Sequence, residues 1–146
     1  MPIDAFVDTN VLVYAAYPGP GEDWKQDIAI DLIERQTFAV SSQVMLEFLN
    51  ATTRKRKPGL SLADAYGWLH DLSASQIIAV DNTIVGEAVA LAERYGIVFW
   101  DGAILAAAER TGAKILYTED LNDGQRYGSL RVVNPFRKPA PSIGTA

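Results

Sequence analysis

The sequence predicts an α/β fold: a three-layer sandwich with a central, mostly parallel sheet flanked by helices. Short apolar runs of strand length alternate with longer segments of helical periodicity along the chain. Strands that alternate with helices favour parallel pairing, because each connection has to cross back over the sheet. The length, 146 residues, is that of one domain, and no internal repeat is visible.

In the first half of the chain, apolar spacing and breaker residues define the elements. The Pro-Gly-Pro-Gly stretch at 18–21 predicts a loop, and the Pro-Gly pair at 58–59 ends a helix. Ser42 precedes an apolar stripe and is predicted to cap that helix. In order, we predict a strand at 3–8, a helix through Tyr14, a helix at 22–35, a strand at 38–41, a helix at 42–57 and a helix at 62–72.

The same reasoning extends to the second half. Asp81 or Asn82 is predicted to cap a helix, and Gly96 fits the position just after its end. Residues 97–100 are either a short strand or an extended approach to the next helix. The remaining predictions are a strand at 77–80, a helix from Asp101 to near Gly112, strands at 114–118 and 130–133, a single domain over residues 1–134, and a loose tail over residues 135–146.

Composition excludes several classes of chemistry. Cysteine is absent, so there is no disulfide framework, thiolate zinc site or cysteine nucleophile. The single histidine, His70, is too little for a two-histidine acid–base mechanism. The start lacks the features of a signal peptide and no apolar run could span a membrane, so we expect a cytoplasmic protein with no membrane partner.

Charge leaves nucleic-acid binding open. The net charge of −5 argues against a protein that coats nucleic acid in general. However, four of the 13 basic residues stand together at 54–57. If the protein is a hydrolase, its tools are carboxylates with a hard cation.

Acidic residues fall where such a fold places its sites. Asp8 ends the first strand, Asp101 follows the apolar run at 97–100, and Glu119-Asp120 follow the strand at 114–118. Ligands of open parallel sheets bind beyond the carboxyl ends of the strands. Glu47 borders the apolar stripe of its helix. Crowded carboxylates bind a cation or keep a proton, and oxygen ligands suit Mg²⁺ or Mn²⁺.

Each acid also has an ordinary structural explanation. Asp101 is a good helix cap, Asp120 lies in a stretch rich in turn formers, and Glu47 alone is more often a solvated helix residue. Asp8 is the hardest to explain in this way, because a carboxylate on an apolar strand is costly unless something pairs with it. The joint placement of the acids favours a site.

Four segments resemble the PIN-domain nucleases and, among them, the VapC-type toxins of toxin–antitoxin pairs. They are Val-Asp-Thr-Asn-Val-Leu at 7–12, Ser-Gln-Val-Met-Leu-Glu-Phe at 42–48, Trp-Asp-Gly-Ala-Ile at 100–104 and Leu-Tyr-Thr-Glu-Asp-Leu at 116–121. The resemblance runs from Phe6 to about Val133. Each segment alone is weak, but four in the right order and separation are specific.

The resemblance implies a PIN-like sheet and an acidic quartet around Mg²⁺ or Mn²⁺. Asn10 and Thr118 match positions that support the site through hydrogen bonds, and Glu119 and Asp123 lie close enough to compete with Asp120 for the fourth acidic position. Family members usually form homodimers and are silenced by a small antitoxin protein, which wraps a helix over the toxin and sends a basic or aromatic side chain toward the site. The implied quartet is Asp8, Glu47, Asp101 and Asp120.

We therefore expect a metal-dependent ribonuclease that acts as the toxin of such a pair. Arg54, two helical turns beyond Glu47, is the first candidate to hold RNA phosphates, with Lys55 beside it. The same cations could simply complement the helix dipole. Two alternatives stay open: a non-catalytic PIN-like module that binds RNA or protein, and a phosphoacceptor signalling domain. The second needs an acidic pair after the first strand, where only Asp8 stands.

Overall fold

The computed structural model describes residues 2–137, and the predicted α/β class is confirmed in it. One mixed sheet is built from strands β1 to β6, and the helices α1 to α6 connect and cover it. The strands are β1 (Ala5–Val7), β2 (Phe38–Ser41), β3 (Gln76–Ile78), β4 (Ile115–Tyr117), β5 (Arg126–Tyr127) and β6 (Leu130–Val133). The helices are α1 (Thr9–Ala16), α2 (Asp23–Arg35), α3 (Ser42–Asn50), α4 (Leu62–His70), α5 (Asn82–Tyr95) and α6 (Phe99–Arg110), and a π-helical turn (Ala51–Lys55) continues α3.

Strand order places the switch point of the sheet between β1 and β4. The order is β3-β2-β1-β4-β6-β5, with β5 antiparallel to β6 and the other neighbours parallel. The chain first builds outward from β1 to β3 and then returns to the other side of β1 with β4. The connections that leave β1 and β4 at their carboxyl ends therefore diverge, which opens a crevice there.

Helices pack in two groups around a continuous apolar core. Helix α1 packs against α2 and α3, and α3 packs against α4, while α5 packs along α6. Strands β1 and β2 are wholly buried. The alanine-rich helix α6 is buried over seven consecutive residues, 102–108, so it lies inside the molecule rather than on its surface.

Two helix starts differ from the prediction. Helix α3 is capped by Ser41, whose Oγ accepts from the amide of Val44 at 3.3 Å, and the Ser42 hydroxyl instead accepts from the amide of Val80 at 3.0 Å. Helix α6 begins at Phe99, so residues 97–100 form no strand and Asp101 lies within the first turn. Single-sequence patterns fix helix boundaries only to within a few residues, because apolar spacing does not mark the capping residue.

Other predicted boundaries were close. Asp81 caps α5 through the amide of Ile84, and Gly96 takes the left-handed conformation just after that helix. The third strand ends at Ile78, two residues earlier than predicted, and the two-residue strand β5 was missed.

At the C-terminal end, the packed structure continues past residue 134. Phe136 is buried, and its ring meets the ring of Tyr14 edge-on with centroids 4.9 Å apart. Residue 136 of the predicted tail thus contributes to the core, and residues 138–146 lie outside the described part of the chain. No helix within residues 2–137 combines the length and apolar character needed to cross a bilayer.

Candidate active site

Asp8 and Thr118 lie side by side at the switch point. The parallel register that pairs Val7 with Tyr117 continues one step, with the Asp8 amide donating to the Tyr117 carbonyl at 3.0 Å. The Asp8 carboxylate accepts from the Thr118 hydroxyl at 2.8 Å and from the Thr9 amide at 2.7 Å. Asp8 is only 5% exposed, so these donors hold a carboxylate that has little contact with water.

Asn10 connects this pair to Asp120. Its side-chain amide donates to the Thr118 hydroxyl at 3.3 Å and to the Asp120 carboxylate at 3.1 Å. The Asp120 amide also donates to the Thr118 hydroxyl at 3.1 Å. Asn10 and Thr118 are therefore hydrogen-bonded to the acids in this structure, and the supporting role that the resemblance implies for them stays a prediction.

Glu47 reaches the same crevice from α3. One carboxylate oxygen accepts from the Thr9 hydroxyl at 3.1 Å, and the other accepts from the Gln43 side chain at 3.0 Å. The Gln43 amide group also donates to the Trp100 carbonyl at 3.1 Å, at the start of α6. Gln43 thus links the Glu47 carboxylate on α3 to α6, the helix that carries Asp101.

Asp101 was expected to start its helix directly after an extended segment at 97–100, either a short strand or an approach to the helix, but the helix already begins at Phe99. It enters the site from the first turn of α6, whose approach to α5 depends on Gly102. A Cβ atom at residue 102 would lie 2.4 Å from the Ala88 carbonyl oxygen, so only glycine allows the two helices to pack this closely. Close helix packing, rather than a strand end, brings Asp101 to the site.

Burial and neighbouring charges raise the pKa values of Asp8, Asp101 and Asp120. Burial raises the pKa of Asp8 from 3.8 to about 7, against the lowering effect of its two hydrogen bonds, and the charges of Asp120 and Glu47 raise it further. The pKa of Asp101 is raised, first by burial and then by the same two neighbours. That of Asp120 is raised by burial and by Glu119 and Glu47. The negative charges of Asp120 and Glu47 thus raise the pKa of both Asp8 and Asp101.

A groove of about 1140 Å³ opens over these residues, with Glu47, Asp101 and Asp120 among its walls and Asp8 beside it. Two buried amide oxygens at its edge, Oδ1 of Asn10 and Oε1 of Gln43, have no hydrogen-bond partner among residues 2–137. The available ligands are therefore all oxygen atoms, the set that Mg²⁺ and Mn²⁺ prefer. Unsatisfied acceptors and mutually repelling carboxylates both fit a cation in the groove.

The acidic side chains along the groove do not form a compact cluster of metal ligands within residues 2–137. Within residues 2–137, no three acidic or histidine side chains stand close enough together to chelate a metal. Thr9 and Asn10 hold Glu47 and Asp120 respectively, whereas the Asp101 carboxylate has no hydrogen bond or ion pair in the described part of the chain. Each bonded carboxylate oxygen keeps a lone pair for a ligand.

Two of the predicted supporting acids lie elsewhere. Glu119 accepts hydrogen bonds from Tyr14 and Lys25 and does not line the groove. Asp123 accepts from the amide of Asn134 at 2.8 Å and from Arg137 at 2.9 Å, and it does not line the groove. Of the three candidates for the fourth acidic position, Asp120 alone faces the other carboxylates.

The basic cluster is oriented differently from the prediction. Lys55 lines the groove and its charge lowers the pKa of Asp120, whereas Arg54 is exposed and lies outside the groove. Arg56 lines the rim but is paired with Glu22 at 3.1 Å. The π-helical turn explains this change, because its amide-to-carbonyl bonds span five residues, as from Arg56 to Ala51, and so add one residue to the turn.

Sequence reasoning missed Thr9, Gln43 and the pair of Tyr14 and Lys25. Gln43 stands four residues before Glu47, and Tyr14 stands four residues after Asn10, spacings at which helix side chains meet. Those spacings were a usable signal for Gln43 and Tyr14. Lys25 contacts residues of two other elements, so nothing local in the sequence marks it.

Comparison with known proteins identifies the architecture. A family model described as PIN domain matches residues 5–126, which is most of the chain. A search of curated proteins gives no match. The solved structures described below are 19–24% identical to this chain, so their likeness shows the fold alone.

Three of these structures illustrate the likeness. The toxin VapC20 of Mycobacterium tuberculosis, described as cleaving the sarcin-ricin loop, is 19% identical with a TM-score of 0.65, over 80% of this chain and 90% of that one. A toxin–antitoxin complex from Klebsiella pneumoniae is 23% identical with a TM-score of 0.67, over 92% and 100%. VapBC2 of Rickettsia felis, bound to a promoter DNA fragment, is 24% identical with a TM-score of 0.60, over 89% and 97%.

Proposed function

The chain belongs to the PIN domain family, and on that premise we propose that it is a ribonuclease that depends on Mg²⁺ or Mn²⁺ and acts as the toxin of a toxin–antitoxin pair. One observation carries the proposal. A buried carboxylate, Asp8, whose pKa is raised to about 7, lies beside a groove lined by Glu47, Asp101 and Asp120, and the charges of Glu47 and Asp120 raise the pKa values of both Asp8 and Asp101. Such an arrangement is costly for stability alone, and a divalent cation relieves that cost.

Asp8 and Asp101 would bind the cation directly, with Glu47 and Asp120 holding ordered water around it. The cation, when bound, lowers the pKa of water and offsets charge on the phosphate. Thr118 and Thr9 fix the Asp8 carboxylate, and Asn10 fixes Asp120. Glu47 or Asp120 accepts the proton of the attacking water, since both lie at the groove surface.

Lys55 is the residue that we expect to hold an RNA phosphate beside the acids. It lines the groove, and no ion pair engages it among residues 2–137. Four carboxylates repel a polyanion until cations neutralise them, so a free ammonium at the rim assists binding. Arg54, the first candidate from the sequence, does not line the groove and is not assigned this role.

An antitoxin protein is the partner that fits an acidic groove. A basic side chain entering the groove would be attracted by Glu47, Asp101 and Asp120, and it would occupy the space of the cation. One of the similar structures is described as a toxin–antitoxin complex, which supports this partner at the level of the shared fold.

The test is cleavage of RNA by the purified chain with Mg²⁺ or Mn²⁺, compared with Asp8→Asn and Asp101→Asn. We expect cleavage that EDTA abolishes and that each substitution lowers by about 100-fold or more. Asp123→Asn is the matched control, because Asp123 is a carboxylate of the same loop region that pairs with Arg137 outside the groove. This control should retain activity within about twofold of the wild type.

Cleavage that survives EDTA or that persists in Asp8→Asn would contradict the proposal. A wild-type chain that binds RNA without cutting it would instead favour the non-catalytic module. The phosphoacceptor alternative gains no support, since the described chain has a single carboxylate directly after β1 and matches the PIN domain model.

A further inference from the structure

Glu119 precedes Asp120 directly but belongs to a separate set of contacts. Its carboxylate accepts from the Tyr14 hydroxyl at 2.5 Å and from the Lys25 ammonium at 3.1 Å. The same ammonium donates to the Tyr14 oxygen at 3.1 Å, so the three groups close a triangle. This triangle joins α1, α2 and the segment after β4 at one point.

The triangle is partly shielded from water. The side chains of Lys25 and Glu119 are 19% and 24% exposed. The Lys25 ammonium also lies 4.4 Å from the centre of the Tyr14 ring and 5.5 Å from that of Phe136, which are distances at which a cation is attracted to an aromatic face. A shielded ion pair in fixed surroundings holds its geometry better than an exposed pair on the surface.

Helix α1 connects the triangle to the acidic groove. Asn10 and Tyr14 are four residues apart and therefore adjacent on one face of α1. Asn10 holds Asp120, and Tyr14 holds Glu119, so two consecutive residues of the segment after β4 are fastened to two consecutive positions on this face. With Thr118 bound to Asp8, the whole segment 118–120 is fixed side chain by side chain.

We propose that Tyr14, Lys25 and Glu119 form a clamp that positions Asp120 for binding the cation. The inference rests on the proposed function, and it assigns Glu119 a positioning role in place of a ligand role. Without the clamp, Asp120 would be held by Asn10 and by its backbone contact alone. A carboxylate that samples other positions binds a cation more weakly, because binding must then order it.

The test compares Lys25→Met, Glu119→Gln and Tyr14→Phe with the wild type. Lys25→Met keeps the side-chain stem, Glu119→Gln keeps the shape, and Tyr14→Phe keeps the ring. Mn²⁺ binding to the full chain is measured by calorimetric titration without RNA, and kcat and KM for RNA cleavage are measured at several Mn²⁺ concentrations. Arg110→Met is the matched control, since Arg110 forms a partly shielded ion pair with Asp81, at 3.0 Å, that has no contact with Asp120.

We expect the Kd for Mn²⁺ to rise about tenfold in each clamp variant. The kcat should fall at low Mn²⁺ and return toward the wild-type value at saturating Mn²⁺, with KM for RNA within about twofold of wild type. Lys25→Arg should restore most of the affinity. The double variant Lys25→Met with Glu119→Gln should be no worse than either single change, since both break one unit.

Mn²⁺ affinity and kcat equal to those of Arg110→Met in all three variants would overturn the clamp. Loss of kcat that saturating Mn²⁺ does not restore would also overturn it. If Lys25→Met fails to fold, the shape-preserving Glu119→Gln and Tyr14→Phe decide. A wild type that binds Mn²⁺ but cuts no RNA defeats the proposed function, while the binding titration still judges the clamp; a wild type that binds no Mn²⁺ defeats both.

Discussion

At the scale of single residues, Asp8 shows how a fold creates a reactive group. The end of β1 removes the carboxylate from water, and two hydrogen bonds only partly compensate for this. Glu47 and Asp120 add negative charge nearby, so the pKa of Asp8 lies at about 7. Below about pH 7 the group therefore carries its proton in the absence of a cation, and a cation that binds there favours release of that proton.

This pKa predicts how stability depends on pH without metal. Unfolded Asp8 loses its proton near pH 3.8, whereas folded Asp8 keeps it to about pH 7. Between these values the folded state binds more protons, so the contribution of Asp8 to the free energy of unfolding falls as pH rises. The slope is at most about 1.4 kcal/mol per pH unit. Urea unfolding in EDTA, measured from pH 4 to pH 8, checks it.

Asp8→Asn isolates this effect from other titrations. Asp101 and Asp120 contribute with the same sign as Asp8, and Asp81 and Asp123, whose pKa values are lowered by backbone and arginine contacts, contribute with the opposite sign. The variant should therefore gain stability relative to the wild type as pH rises toward 7, and Mn²⁺ should stabilise the wild type alone. A stability difference that does not vary with pH would refute the raised pKa.

At the scale of elements, the π-helical turn after α3 determines which basic side chain, Lys55 or Arg54, lines the groove. The hydroxyls of Thr52 and Thr53 bond back to the carbonyls of Phe48 and Leu49, at 2.9 and 2.6 Å. Gly59 packs against the turn so closely that a Cβ there would lie 2.3 Å from the Thr53 carbonyl oxygen. Because the turn adds one residue, the position two turns beyond Glu47 falls to Lys55 instead of Arg54.

The turn leads to a prediction about adjacent residues. Lys55→Gln should raise KM for RNA several-fold with little change in kcat, because a phosphate contact is lost while the acids remain. It should also lower the slope of log KM against log salt concentration by roughly 0.7 to 1. Steady-state kinetics at four or more salt concentrations provide the measurement.

Arg54→Gln is the control for this prediction. It removes the same charge one residue away, from a side chain that lies outside the groove. Its KM should stay within about twofold of the wild type, as expected for an exposed surface charge. Equal effects of the two substitutions would mean that the basic cluster acts only through its overall charge.

These elements also show what the sequence could and could not predict. Strands end where apolar runs end, so Asp8 and Asp120 could be assigned to the carboxyl edge of the sheet from sequence alone. Asp101 was expected after a short strand or an extended approach at 97–100, but it reaches the site through the packing of α6 on α5 at Gly102. Arg54 was chosen by assuming a regular α-helix, and the π-helical turn changes the register. Apolar periodicity records neither close helix packing nor a local change of helix type.

At the scale of the whole molecule, topology gathers residues that are far apart in the chain. Leaving β1 in one direction and returning through β4 on its other side brings residues 8 and 118 into contact, 110 positions apart. The same arrangement leaves an apolar face on the walls of the groove, formed by α3, α5 and the start of α6. Its exposed side chains are Leu46, Val85, Val89, Phe99 and Trp100, each 49–68% exposed.

That face supports the expected homodimer. Soluble monomers rarely expose a contiguous apolar surface of this kind, and a two-fold interface needs one face that matches itself. We expect light scattering after gel filtration to give twice the chain mass, and Val89→Lys to give the monomer, because each interface would bury two unpaired ammonium groups. Leu62→Lys is the control, since Leu62 is 64% exposed on α4, outside this face. At about 100 μM even weak dimers with a micromolar Kd would assemble. A wild-type monomer at this concentration would contradict the homodimer and leave the apolar face to another partner. A dimer that persists in Val89→Lys would show that the interface lies elsewhere.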